Sequence, residues 1–134
     1  MSKRLDYNQI APAGVKALGS VYGYVMQSSL PPALVELVYL RISQINNCAY
    51  CLDMHSKDAR RHGETEQRLY LLNAWRESRL YTARERAALA WTESLTLVAE
   101  TNAPDDVYDA LKAQFTEKEI VDLTTLVGMI NLWN

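Results

Sequence analysis

The chain lacks what would mark a β protein, a nucleic-acid binder or a membrane span. No stretch alternates apolar and polar residues with period two, and no Asn-Gly or Asp-Gly pair offers a hairpin turn. That leaves an all-α class. Charge of one sign is absent too: 14 Lys and Arg are mixed with 16 Asp and Glu, for a net charge of −2. No basic field exists for a nucleic acid to bind. No apolar run is long enough to cross a bilayer. The two positive charges at Lys3 and Arg4 are not followed by an apolar signal core. A cytoplasmic protein with neither membrane nor nucleic-acid partner is expected. There is no long linker, low-complexity tract or internal repeat, so 134 residues predict one domain over 1–134. Cysteine is scarce. The two present, Cys48 and Cys51, form one Cys-x-x-Cys. A structural staple normally closes a longer loop, so in a reducing compartment this pair points to redox chemistry or to metal.

What the chain has in quantity is helical periodicity. After a loose lead-in over 1–6, Ile10, Val15, Leu18, Val21, Tyr22 and Val25 recur at helical spacing, with Pro12 suited to a first turn. Pro31-Pro32 restarts the chain, and the next helix runs to about Ile45. Its residues Leu34, Val35, Leu37, Val38, Tyr39, Leu40 and Ile42 are apolar nearly all round, which predicts deep burial. Asn46-Asn47 is a tight connection, with Asn47 the expected N-cap of a helix over 48–62. Gly63 stops that helix behind Arg60, Arg61 and His62. A shorter helix covers 65–74. Thr82-Ala-Arg-Glu85 and Thr116-Glu-Lys-Glu119 are capping boxes opening helices to about Ala99 and to the end of the chain. Another helix starts after Asn102-Ala-Pro104. Six or seven helices are therefore expected. Hydrophobic residues make up 49% of the chain. That is generous for this length, and with two helices apolar on more than one face it predicts a homo-oligomer.

The chemistry gathers between residues 36 and 55. Cys48, Cys51 and His55 stand at i, i+3 and i+7, on one helix face. Glu36 lies twelve residues before Cys48 in an otherwise apolar run. The short turn makes the two helices antiparallel, which brings Glu36 level with the region of His55 and Lys57. Cys51 is ~6 Å along the axis from His55. Two sulfurs, a base and an acid compose a proton-coupled thiol site. Duller readings exist for each residue: small buried cysteines, a satisfied core histidine, and Glu36 in an ion pair with Arg41 or another base. Zinc fits poorly, because Cys48 and His55 are ~10 Å apart along the helix and zinc bonds are near 2 Å. No metal and no bound cofactor are expected. His62 reads as structural, and Tyr50 has no assignable role. For the attacking thiol, the helix dipole favours Cys48, whereas nearness to His55 favours Cys51 and is the larger effect.

Glu36, eleven residues, Cys48-x-x-Cys51, three residues and His55 resemble the signature of the alkylhydroperoxidase AhpD family, within the carboxymuconolactone decarboxylase-like superfamily. The flanks Leu40–Asn46, Met54–Arg60, Glu85–Trp91 and Asn131–Asn134 resemble it as well, so the likeness covers 30–134. The resemblance implies a helical fold assembled into trimers or hexamers, and a thiol peroxidase reducing organic hydroperoxides to alcohols. It implies Cys51 as peroxidatic thiol, Cys48 as resolving thiol and Glu36 with His55 as proton relay. A Cys51 sulfenic acid would condense to a Cys48–Cys51 disulfide. An external thiol, or a lipoyl group on a partner protein, would reopen it. One departure is Tyr50, where the best-known peroxidase carries a second histidine. The decarboxylase branch lacks the paired cysteines, so that activity is disfavoured. The competing functions are a thiol–disulfide oxidoreductase or redox sensor, and a non-catalytic oligomeric scaffold with buried thiols.

Overall fold

The computed structural model describes residues 5–134, which are helical with no strand among them. The elements are α1 (Tyr7–Ile10), α2 (Pro12–Met26), α3 (Pro32–Ile45), α4 (Ala49–Arg61) and α5 (Glu66–Leu71). A 3-10 turn (Leu72–Ala74) follows, and then α6 (Ala83–Thr96), α7 (Val98–Thr101), α8 (Asp105–Lys112) and α9 (Glu117–Trp133). These nine helices exceed the expected six or seven because α1 and α7 are single turns of four residues. Of the lead-in expected over 1–6, residues 1–4 lie outside the described residues. Asp6 caps α1 by accepting from the backbone of Gln9. The helix expected to reach Ala99 breaks at Leu97, and Asn102 ends α7 in the left-handed region with φ 56°. Both capping boxes form as read.

The architecture is organised on α3. Residues 34–40 are buried without interruption, so this helix needs neighbours on every side. One face, with Val35, Val38, Tyr39 and Ile42, joins the main core between α2, α6, α8 and α9. The other, with Leu37 and Leu40, packs on Ala59 of α4, Leu72 and Trp75 of the following turns, and Leu89 of α6. The last helix is absorbed in the same way: Ile120, Leu123, Leu126, Val127 and Ile130 are all buried. The two helices whose apolar faces implied an oligomer thus spend those faces inside one chain. Exposed apolar surface remains at Val121 and Leu132 of α9, at Leu5, Tyr7 and Ile10, and along α2 at Tyr22, Tyr24 and Met26. Among the described residues no helix is long and apolar enough to cross a membrane.

Polar ties hold the segment 72–81 against α6. Glu93, nearly buried on α6, receives Arg41 Nε at 2.6 Å, Trp75 Nε1 at 2.8 Å and a guanidinium N–H of Arg76. Arg86 donates to the carbonyls of Trp75, Arg76 and Ser78. Burial pushes the Glu93 carboxyl up, but the donors from Arg76, Trp75 and Arg41 outweigh it and hold it below the usual carboxylate range. Its stabilisation is therefore complete above the ordinary value of 4.5 and is lost as pH falls through the lower folded value. Glu93→Gln leaves two guanidinium groups short of a counter-charge and should cost about 2 kcal/mol at neutral pH. Urea unfolding checks this: the gap between wild type and variant should close at acid pH, where the wild-type carboxylate is itself protonated. A gap that persists unchanged in acid would assign the loss to shape instead of charge.

Candidate redox site

The site is set by the turn between α3 and α4. The amide of Asn46 donates to Ile42 O at 2.9 Å, and the amide of Cys48 reaches back to Ser43 O at 3.0 Å. Asn47 closes the turn at φ 55°. The left-handed region is one that asparagine enters more readily than most residues. Asn47 is therefore the hinge of the turn and not the N-cap expected of it. Cys48 takes the cap: its φ and ψ are extended, and its sulfur accepts from the amide of Cys51 at 3.4 Å. So tight a turn forces α3 and α4 to run antiparallel side by side, and it fixes which of their residues meet.

Glu36 and His55 meet. The Glu36 Oε2 to His55 Nδ1 distance is 3.0 Å, and the residues are only 6% and 5% exposed. The alternative pairing of Glu36 with Arg41 does not form, because Arg41 points to Glu93 and Gln44. With Glu36 ionised, the proton of this bond sits on Nδ1, and Nε2 is left as the ring nitrogen that gives or takes a proton. Tyr39 packs on the imidazole with ring centroids 4.5 Å apart. Burial, then Tyr22 and Glu36, push the Tyr39 phenol well above its ordinary range, so it stays neutral. It braces the imidazole without competing for the Glu36 carboxylate.

The two sulfurs are joined as a disulfide across a Cα–Cα distance of 5.4 Å. Their surroundings differ. Cys51 is buried within the first turn of α4, whereas Cys48 is half-buried at its cap. Cys51, Glu36 and His55 contribute to the wall of one cavity of about 320 Å³, and Cys48 is not among its lining residues. Asp58, one turn beyond His55, adds a further polar group. Tyr7, Tyr22, Tyr50 and Trp133 supply aromatic wall. A neighbouring cleft of about 300 Å³ between α2 and α9 has Tyr7 as its one titratable group, so it holds no comparable chemistry.

Sequence reasoning thus located Glu36, Cys48, Cys51 and His55, and the structure brings Glu36, Cys51 and His55 to one cavity with Cys48 joined to Cys51. It missed Asp58, whose signal was its i+3 spacing from His55. Carboxylate and imidazole atoms of Glu36, His55 and Asp58 lie within 4.8 Å of one another, which is the spacing a divalent cation would need. Glu36 is, however, already bonded to His55, and Asp58 to Arg61. An ion-pair cluster accounts for the trio. Asn134 was also missed as a site residue; its Nδ2 lies 3.2 Å from Cys51 Sγ. Tyr50, left without a role, is largely exposed and stands at the cavity.

Comparison with known proteins agrees with this fold. The profile of the carboxymuconolactone decarboxylase family matches residues 12–94. The uncharacterised protein YdfG of Bacillus subtilis is 43% identical over 134 residues, covering 100% of this chain and 91% of its own. The uncharacterised protein YnjA of Escherichia coli is 35% identical over 107 residues, 79% of this chain and 58% of that one. The crystal structure of ATU0492 from Agrobacterium tumefaciens, a protein of unknown function and candidate antioxidant defence protein AhpD, superposes with a TM-score of 0.94. It is 43% identical, and the match covers 98% of this chain and 90% of that one. The debrominase Bmp8 shares the fold, with a TM-score of 0.74 and 21% identity over 92% of this chain and 68% of its own. A helical chain with this dithiol, matched over most of its length by such relatives, belongs to the carboxymuconolactone decarboxylase family, as an AhpD-like member.

Proposed function

We propose that the protein is a thiol peroxidase that reduces organic hydroperoxides to alcohols. The observation that carries this reading is the buried Glu36–His55 bond opening, together with Cys51, into one largely apolar cavity. The aromatic wall takes the organic group, and the polar part meets the peroxide. The Cys51 thiolate attacks the outer peroxide oxygen, forming an S–O bond as the O–O bond breaks. The alkoxide that leaves takes a proton from the His55 imidazolium, which Glu36 stabilises, and departs as the alcohol. The products are Cys51 sulfenic acid and alcohol. The Cys48 thiolate then attacks the Cys51 sulfur, and hydroxide takes a proton and leaves as water, giving the disulfide. An external dithiol, or a lipoyl group on a partner protein, supplies the two electrons and two protons that reopen it. Cys48, as the more exposed sulfur, is the point of attack for that reductant. The antioxidant description of the Agrobacterium relative supports the same reading. Assembly into a trimer or hexamer belongs to this proposal, and the exposed apolar residues of α1 and α2 are its candidate contact.

Three outcomes test it. Glu36→Gln keeps the shape but lowers the rate of peroxide-driven Cys51 oxidation by about 10²-fold. Stopped-flow kinetics measures this, with circular dichroism confirming the fold. An unchanged rate and pH profile would leave Glu36 as a structural partner of His55. After one equivalent of hydroperoxide, a dimedone-type probe should label Cys48→Ser and leave Cys51→Ser unlabelled. The reverse labelling would make Cys48 the attacking thiol and the helix dipole its activator. Light scattering coupled to size exclusion should find an oligomer at micromolar concentration that Tyr22→Glu weakens, and a monomeric wild type would remove assembly from the proposal.

A further inference from the structure

The Cys51 sulfur has a second polar neighbour that the peroxidase reading does not use. Asn134, at the C-terminal end of α9, brings its side-chain nitrogen to 3.2 Å from Cys51 Sγ and 3.4 Å from Ser43 Oγ. Which end of this amide faces the sulfur is decided by its neighbours. Ser43 commits its hydroxyl proton to Tyr39 O at 2.8 Å, and Thr96 commits its own to Thr92 O at 2.8 Å. Both hydroxyl oxygens can therefore only accept from the amides that reach them. Asn131 donates to Thr96 Oγ1 at 3.3 Å and to Val127 O at 3.0 Å, which leaves its oxygen as acceptor. Asn46 donates to that oxygen at 2.9 Å and to Asn134 Oδ1 at 3.1 Å. Every amide hydrogen in the chain of three asparagines then has an acceptor, and the one remaining on Asn134 points at sulfur. Turning any one amide over would set donor against donor or acceptor against acceptor.

We propose that Asn134 is a further catalytic residue, whose amide N–H stabilises the Cys51 thiolate. A disulfide sulfur is a weak acceptor and a thiolate a charged one, so the bond strengthens when the dithiol is reduced. The donor is neutral, so it acts at any pH and places no competing charge beside the Glu36–His55 pair. Ser43 on α3 and Asn46 in the following turn bond the amide directly, and Asn131 on α9 holds Asn46 in turn, so the donor is in place before peroxide arrives, which spares reorganisation during the attack. This inference rests on Cys51 as the attacking thiol, but its test reads the thiolate and not turnover.

In a Cys48→Ser background, Cys51 is the only thiol, and its titration is followed by thiolate absorbance and by the pH profile of iodoacetamide alkylation. Asn134→Ala should raise the midpoint by about one pH unit, a tenfold loss of thiolate at neutral pH. Asn134→Asp preserves the acceptor for Asn46 but turns a carboxylate oxygen to the sulfur, and should raise it further. With both cysteines present, Asn134→Ala should also move the disulfide to a more reducing potential, since thiolate stabilisation favours the reduced form. Circular dichroism identifies variants that fold, and the two substitutions differ enough that one suffices. Midpoints unchanged in both variants would overturn the proposal and leave Asn134 a helix-end tie. Shifted midpoints in a protein that consumes no hydroperoxide would uphold it while removing the peroxidase reading.

Discussion

Glu36 stands in the middle of a helix whose residues from Leu34 to Leu40 are all withdrawn from water. A carboxylate in that position must find a hydrogen-bonding partner or lose its charge. His55 is that partner, and most of the site follows from the pairing. It ties α4 to α3 at the register that the turn sets, leaves one imidazole nitrogen free of the Glu36 bond, and has Cys51 one turn away on the same face. Glu36 thus offsets its burial cost by its bond to His55. The same carboxylate on a solvated helix would meet water in place of His55, and it would direct neither the tautomer nor the thiol.

The two cysteines have the same side chain but not the same surroundings. Cys48 is spent partly on structure, since its sulfur caps the helix by accepting from the Cys51 amide. Cys51 is buried and shares the wall of the aromatic cavity with the imidazole. The proposed division of labour between resolving and attacking thiols rests on this asymmetry, with Cys48 the more accessible sulfur. The dipole of α4 acts on both, and at partly buried sites it contributes up to ~2 kcal/mol.

Apolar content alone misled about where surface would be left over. Helices α3 and α9 bury most of their apolar residues, because each packs against several others. The comparably apolar α2 touches the body along one side, at Val21 and Val25, and leaves Tyr22, Tyr24 and Met26 exposed. Tyr24 shows what that surface is made of: its hydroxyl reaches buried Asp122 at 2.6 Å while its ring stays half in water.

Helical periodicity, proline positions and two capping boxes determined the class and nearly every helix start, because those are local effects of backbone hydrogen bonding. Spacing alone determined that Cys48, Cys51 and His55 share a face, since a helix repeats every 3.6 residues. The short Asn46-Asn47 turn went further and brought Glu36 level with His55, a non-local contact readable only because the connection admits one geometry. Sequence could not decide that Arg41 would choose Glu93, that Asn47 would turn left-handed and pass the cap to Cys48, or that Asn134 would meet a sulfur 83 residues away. Those depend on how α6 and α9 close around α3. Side chains far apart in the chain become neighbours only when apolar faces are buried together, and the residue types alone do not say which of several possible partners the packing will bring within hydrogen-bond reach.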